Sequence, residues 1–398
     1  MAKNKQNKRP NVPPLRFPEF TEPWENSTIG DSFELYSGNT PSRLEKEQFA
    51  GDINWITSGE LKNHYISKTN ETITKEAAGN NNLRLLPIGT FVIAIYGLEA
   101  TGVRSTGSIT SELSTISQAC MAFLPKRDIS NEFLYSWYMK HGNTIGLRYA
   151  QGTKQQNLSY DIIEKFRISY PSEAEQQKLE YFIGLLDRRI AVQSKLIEDL
   201  KQLKSALVER LYCHPIPNSR IGDLVDQVSK RNRGDNDYSM LSVNNRLGFI
   251  EQSEQFEDRV VASDDTSNYK VVSRDDFAYN PARINVGSIA RLTSFESGIV
   301  SPMYICFRTK RQILPQYLEH FFDTRYFHDE MQKRLEGSVR LCLSWEGLCN
   351  IPIAVPPIER QEKVGKRISR LADKISLEER HLDLLKSQKQ YLLQAMFI

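Results

Sequence analysis

Residues Glu173–Tyr212, EAEQQKLEYFIGLLDRRIAVQSKLIEDLKQLKSALVERLY, decide the fold. Alternating steps of four and three land on Leu179, Ile183, Leu186, Ile190, Gln193, Ile197, Leu200, Lys204, Leu207 and Leu211. Eight of these ten positions are apolar, the heptad signature of a helix that packs along another helix. The stretch has no glycine after Gly184, and no proline occurs between Pro171 and Pro215. At 1.5 Å per residue, about 39 residues predict a rod of about 58 Å, longer than an ordinary globular helix.

The rod occurs twice. The residues 185 positions later are Val364, Ile368, Leu371, Ile375, Glu378, Leu382, Leu385, Lys389, Leu392 and Met396, with the polar breaks at the same two places. The approach repeats at the same offset. Gly152, Leu158, Ser159, Tyr160, Ile168, Pro171, Gln176 and Lys178 correspond to Gly337, Leu343, Ser344, Trp345, Ile353, Pro356, Gln361 and Lys363. The chain is therefore an internal duplication, and two rods separated by a whole domain are free to pair antiparallel. One register places Gln193 opposite Lys389 and Lys204 opposite Glu378. A slip of one heptad would leave those polar groups against leucine or isoleucine, at about 1–3 kcal/mol each.

The expected architecture is an α+β fold of two mixed α/β domains joined by two long antiparallel coiled-coil helices, with an internal pseudo-two-fold repeat. Residues 1–20 read as a flexible arm, because Lys3, Lys5, Lys8 and Arg9 alternate with Asn and Gln before Pro10, Pro13, Pro14 and Pro18. The first domain spans 21–171, the first helix 172–213, the second domain 214–356 and the second helix 357–398. Short apolar runs bounded by Gly, Pro and Asn predict strands at Ile53–Ile56, 90–96, 119–124, 238–243, 276–279 and 303–307. Helical stretches are expected at 132–140 and 317–322. Ile29-Gly30-Asp31 is echoed by Ile221-Gly222-Asp223, and Cys120 and Cys306 fall in corresponding strands as core residues.

Composition excludes several classes. Hydrophobic residues at 39% and aromatics at 10% are enough for real cores. The formal charge of +3 is neutral on the question of nucleic acid, since a DNA-binding surface needs a local basic stripe and not a basic total. No apolar run approaches a membrane span, and the basic N-terminus has no apolar segment behind it, unlike a secretory signal. The five cysteines form no C-x-x-C pair, so no zinc site or disulfide framework is indicated. A reduced, cytoplasmic protein is expected. There is no Walker A sequence, no G-x-G-x-x-G run and no H-E-x-x-H pair. Asn280-Pro281-Ala282-Arg283 lacks the second proline and the aromatic of an amino-methyltransferase motif. The chain reads as a binder, with no catalytic residue and no metal site.

Polar loops interrupt both domains, and Asn, Gln, Arg and Lys are the residue types that read base edges. The candidate DNA contacts are Thr40, Ser42, Arg43, Lys62, Arg104, Lys154 and Gln155 in the first domain. In the second they are Arg231, Arg233, Asn244, Arg246, Asn280, Arg283, Asn285 and Arg340. Loop by loop, ordinary turn chemistry is the competing reading.

Taken together, these features resemble the specificity subunit of type I restriction–modification systems. The resemblance rests on two variable domains alternating with two similar helices. It also rests on the paired runs Gly152–Ser159 and Gly337–Ser344, with Pro171, Glu175, Gln176 and Lys178 against Pro356, Gln361 and Lys363. Gly38-Asn39-Thr40-Pro41-Ser42 and the run Tyr279–Ser288 are also typical of target-recognition domains. The resemblance implies that each domain reads one half of an asymmetric bipartite target in double-stranded DNA, while the helices set the spacer. It implies two modification subunits as partners, which bind S-adenosylmethionine and methylate adenine, and motor-nuclease restriction subunits that use ATP and Mg. No cofactor is expected on this chain. The alternative is a coiled-coil scaffold whose two domains bind proteins.

Overall fold

A computed structural model of the protein describes residues 11–97, 106–149, 156–212, 216–233, 238–245, 247–255, 266–338 and 340–398. The chain forms two compact units, one of residues 1–193 with 381–398 and the other of residues 194–380. The division falls inside both long helices and not at their ends. Those helices are Glu173–Tyr212, the central helix, and Ile358–Met396, the distal helix. All twenty predicted seam positions are buried or half-buried, so the heptad pattern picked out the correct face of both helices.

In the first unit a five-stranded sheet runs in the order Phe33–Ser37, Cys120–Pro125, Phe91–Ala94, Gly107–Thr110, Tyr65–Ile66. Its middle strands are buried on both faces. Phe91, Ile93, Met121 and Phe123 point into the core beneath the helix Asn131–Tyr149, against Phe133, Leu134 and Tyr138. Their neighbours Val92, Ala94, Cys120 and Ala122 point to the other face, where Ile56, Leu86 and Ile116 pack. This is the period-two alternation of a strand, with both faces apolar because both are covered. A second sheet, Thr72–Ile73, Ile53–Ile56, Ser114–Ile116, supplies the second cover.

The second unit repeats the plan. Val225–Val228, Ile305–Thr309, Phe277–Tyr279 and Ile289–Arg291 form one sheet in that order. Phe277, Tyr279 and Phe307 face the core with the helix Pro315–Phe322, while Ala278 and Cys306 face the other side. Cys120 and Cys306 are both fully buried, in equivalent strands. In each unit a short antiparallel ribbon precedes the helices, Glu25–Thr28 with Arg167–Tyr170 and Ser219–Arg220 with Pro352–Ile353.

Within each unit the helices run antiparallel. Leu179 and Ile183, early in the central helix, share a core with Leu392 and Met396, late in the distal helix. In the second unit Val208, late in the central helix, shares a core with Val364 and Ile368, early in the distal one. Each helix is anchored to its domain by a buried glutamine at equivalent positions. Gln176 accepts from the Ser130 N–H at 3.0 Å and donates to the carbonyls of Asp128 (2.7 Å) and Pro171 (3.0 Å). Gln361 accepts from the Leu314 N–H at 2.8 Å and donates to the carbonyls of Gln312 (3.0 Å) and Pro356 (2.8 Å). Replacing either glutamine by alanine strands buried backbone groups, at a cost of about 1–3 kcal/mol. Urea denaturation of Gln176→Ala and Gln361→Ala should show losses of similar size, because the two clamps are the same device.

Two expectations are corrected here. Residues 11–20 are not a free arm. Arg16 donates to both Glu175 carboxylate oxygens (2.8 and 2.7 Å), Phe17 packs edge-on to Phe182, and the Leu15 N–H donates to the Ala395 carbonyl. The polar seam residues, too, are paired otherwise than expected. Lys389 bonds Asp187, and Glu378 has a partner in Lys374 one turn away on its own helix. In the second unit Lys201 of the central helix pairs with Glu379 of the distal helix, at 2.6 Å. Asp187, Lys201 and Glu379 each lie one residue beyond a seam position; Lys201 and Glu379 keep their charged heads near water there, while Asp187 is largely buried and is held by Lys389.

Candidate nucleic-acid interface

In the first unit, two loops meet on one hub. The first leaves the strand Phe33–Ser37 through Gly38, where a Cβ would stand 1.8 Å from the Ile116 carbonyl oxygen, so only glycine fits. Asn39 then fixes the turn: its carbonyl accepts from the Trp55 indole (3.1 Å), its side-chain oxygen accepts from the Thr40 N–H (2.8 Å), and its amide donates to the Asn81 carbonyl (3.2 Å). Thr40 is half-buried behind this turn and Ser42 is exposed beyond it. Arg43 is exposed but not free. Its guanidinium lies over the Phe49 and Trp55 rings, at 4.7 and 5.2 Å, and forks onto both oxygens of Glu71. The Glu71 contact raises the guanidinium pKa and holds the Glu71 carboxyl below its ordinary value.

The second loop, Thr57 to Lys62, is a single 3-10 turn. Glu60 accepts from the Thr57 N–H and hydroxyl, both at 2.8 Å, and reaches the Asn70 N–H at 2.6 Å. Leu61 is buried as the anchor, which leaves the Lys62 side chain in solvent. Asn70 and Glu71 are thus the hub that brings Ser42, Arg43 and Lys62 onto one surface. Sequence reading missed Glu60, Asn70 and Glu71, and no local signal marks them, because Glu71 lies 28 residues from Arg43.

In the second unit, residues 230–233 lie along the strand Lys270–Ser273. The Val271 N–H donates to the Lys230 carbonyl, and the Asn232 N–H to the Tyr269 carbonyl, both at 2.8 Å. The extended backbone alternates sides, so Asn232 is buried while Arg231 and Arg233 are exposed. They line a cleft with Lys230, Tyr238 and Ser267, and Arg231 donates to the Asn268 side chain at 2.8 Å. Two cations on one side of the segment, beside an aromatic side chain, suit a phosphate backbone.

A second cluster forms around residues 280–288. Asn280 is buried, and its side-chain oxygen accepts from the Ala282 N–H at 3.1 Å. It therefore shapes the loop and is not placed to meet a base, which corrects its candidacy. Gly287, at φ +89°, closes the turn. Arg283 is exposed and Asn285 half-buried on its outer side. The Asn245 amide donates to the Val286 carbonyl (3.3 Å), tying in Asn244, whose side-chain oxygen accepts from the Leu247 N–H. The Leu343 N–H donates to the Pro281 carbonyl (3.0 Å), tying in the hairpin that carries exposed Arg340. Arg104, Lys154, Gln155 and Arg246 lie outside the described residues.

Among the described residues, no cluster of His, Cys, Asp and Glu could hold a metal ion, and no helix is long and apolar enough to cross a membrane. Two copies of one α+β scaffold, each with its own polar loops and each closed by stretches of both long helices, define a protein of two similar domains. Residues 21–202 match the family model described as the type I restriction modification DNA specificity domain. The chain matches this specificity-domain model over the first domain and most of the central helix, a little under half of its length.

It is 28% identical to the type I restriction enzyme MjaIX specificity subunit of Methanocaldococcus jannaschii, over 48% of this chain and 44% of that protein. It is 21% identical to the MjaVIII specificity subunit of the same organism, over 95% of this chain and 92% of the relative. The MjaIX match thus spans less than half of that relative's length. In fold, the chain is similar to the crystal structure of a type I restriction–modification S subunit from M. genitalium, with a TM-score of 0.57 at 15% identity, covering 97% of this chain and 99% of that one.

Proposed function

We propose that this chain is the sequence-reading subunit of a type I complex on double-stranded DNA. It is not itself the catalyst. Each recognition domain contacts one half of an asymmetric bipartite target, and the paired helices set the gap between the halves. The observation that carries this reading is the duplicated scaffold with unlike loops. The first domain offers a hub with Ser42, Arg43 and Lys62, the second a cleft with Arg231 and Arg233 and an outer loop with Arg283. Same frame and different edges fit two unlike half-sites.

The helices also offer a docking face. Tyr181, Leu185, Val192, Leu196 and Leu203 are exposed on the central helix, in alternating steps of four and seven. That is an 11-residue apolar repeat on the open side of the helix, and exposed apolar stripes mark interaction surfaces. Two modification subunits would bind there, bringing S-adenosylmethionine and adenine methylation, with restriction motor-nuclease subunits and their ATP and Mg added in the full assembly. Such an assembly works where the chromosome is, in the cytoplasm.

Co-expression with the modification subunit of the same source, followed by mapping of methylated adenines across the host genome, tests the reading. The expected result is one bipartite motif with a fixed gap. A stable complex that adds no methylation would overturn it in favour of a protein-binding scaffold.

A further inference from the structure

The first unit contains a charged cluster that the loops above do not use. His64 follows Lys62 by two residues, at the start of the edge strand Tyr65–Ile66. Its ring is sandwiched between Tyr65 (4.2 Å, 12°) and Tyr135 (4.0 Å, 4°). A carboxylate stands at each ring nitrogen: Glu132 at Nε2, 2.9 Å away, and Asp187 at Nδ1, 3.5 Å away. Tyr65 donates to the other Glu132 oxygen at 2.8 Å. Asp187 lies on the central helix and is itself held by Lys389 of the distal helix.

A neutral imidazole has one N–H and one bare lone pair. Between two carboxylates, one of them would face that lone pair. Only the imidazolium presents an N–H to both, as a hydrogen bond to Glu132 and a longer ionic contact to Asp187. Burial alone would lower the His64 pKa, but Asp187 and Glu132 reverse that and raise it, while His64 and Lys389 hold the Asp187 carboxyl below its ordinary value against its own burial. Tyr135 from the helix above, and Arg188 and Glu180 from the central helix, also face the cluster, Glu180 through Glu132.

We propose that charged His64 is a positioning residue, clamping the Lys62 loop of the first recognition domain to both long helices so that reading of the first half-site depends on pH. The proposal rests on the DNA-reading function argued above. The charged form prevails below the raised pKa and is lost as pH rises through it. The clamp is therefore tight at low pH and released on the alkaline side of the ordinary histidine range.

The test uses the full chain in complex with its modification subunits, and duplexes carrying single base-pair changes in either half-site, from about pH 6 to about pH 9. In the native complex the binding penalty for first-half changes should shrink by about fivefold or more as pH rises, while second-half penalties hold. His64→Gln should give a flat profile at the relaxed value. Parallel shifts in both halves, or the same profile in native and variant complexes, would overturn the proposal. Independently of DNA, NMR titration of the His64 ring in the full chain should place its pKa above that of a free histidine, and Asp187→Asn should lower it. An ordinary titration sinks the clamp even if DNA reading stands. Should neither half-site be read at all, the DNA reading fails while the titration still decides the clamp.

Discussion

Replacing Arg16 by alanine should destabilise the first unit by about 3–5 kcal/mol. Glu175 is buried to 1% exposure, and both of its oxygens are held by the Arg16 guanidinium, with the Trp24 indole adding a longer bond at 3.3 Å. The Glu175 contact in turn raises the arginine pKa. Without Arg16, the Glu175 carboxyl stays in the core with one weak donor, and its desolvation is no longer compensated. Against a total stability of about 5–15 kcal/mol for a typical domain, this is a large fraction. Urea denaturation measures the loss. The double change Arg16→Met with Glu175→Leu should recover most of it, because removing both charges leaves nothing unpaired. A single-variant loss below about 1 kcal/mol, the range of exposed pairs, would show that Glu175 reaches water. Position 360, which corresponds to Glu175 in the second half, is an exposed arginine, so the duplication does not extend to this pair.

Periodicity was legible where one physical force dominates. The central helix runs over Glu173–Tyr212 as its heptads and the absence of proline require, and its seam is the buried face. The strand Ile53–Ile56 falls on its predicted residues, and Cys120 and Cys306 occupy matching core positions. Burial repeats along the chain, so it leaves a pattern. Charge pairing does not. Lys389 found Asp187, and Lys201 found Glu379, because long side chains can choose among acids on neighbouring turns, and the half-exposed positions beside a seam cost less than the seam itself. The candidate loops show the same divide. Gly38 and Asn39 build their turn from their own local chemistry, whereas the hold of Glu71 on Arg43, and of Glu175 on Arg16, joins residues far apart in sequence.

Lengthening both helices should lengthen the DNA gap and leave both half-sites unchanged. Seven residues keep the seam in phase, and insertions must enter both helices at facing positions or the apolar stripes fall out of register. One heptad adds about 10.5 Å, or about three base pairs at about 3.4 Å each. Rotation decides whether the longer protein still works. Three base pairs turn the DNA right-handed by about 0.3 of a turn, and a left-handed coiled coil with a pitch of about 150 Å turns the opposite way by about 0.07. The second domain would then face away from its groove. Three heptads add about 31.5 Å, close to a full helical turn of about 34–36 Å, and the relative rotation comes to about 1.1 turns, nearly the original face. The three-heptad variant should therefore methylate a motif whose gap is longer by about nine base pairs. Its affinity for the original target should fall on the order of 10³-fold, as when specific binding gives way to non-specific. The one-heptad variant should methylate poorly at any gap. Mapping methylated adenines for both variants reads these outcomes directly, and an unchanged gap in the three-heptad protein would show that something other than the helices sets the spacing.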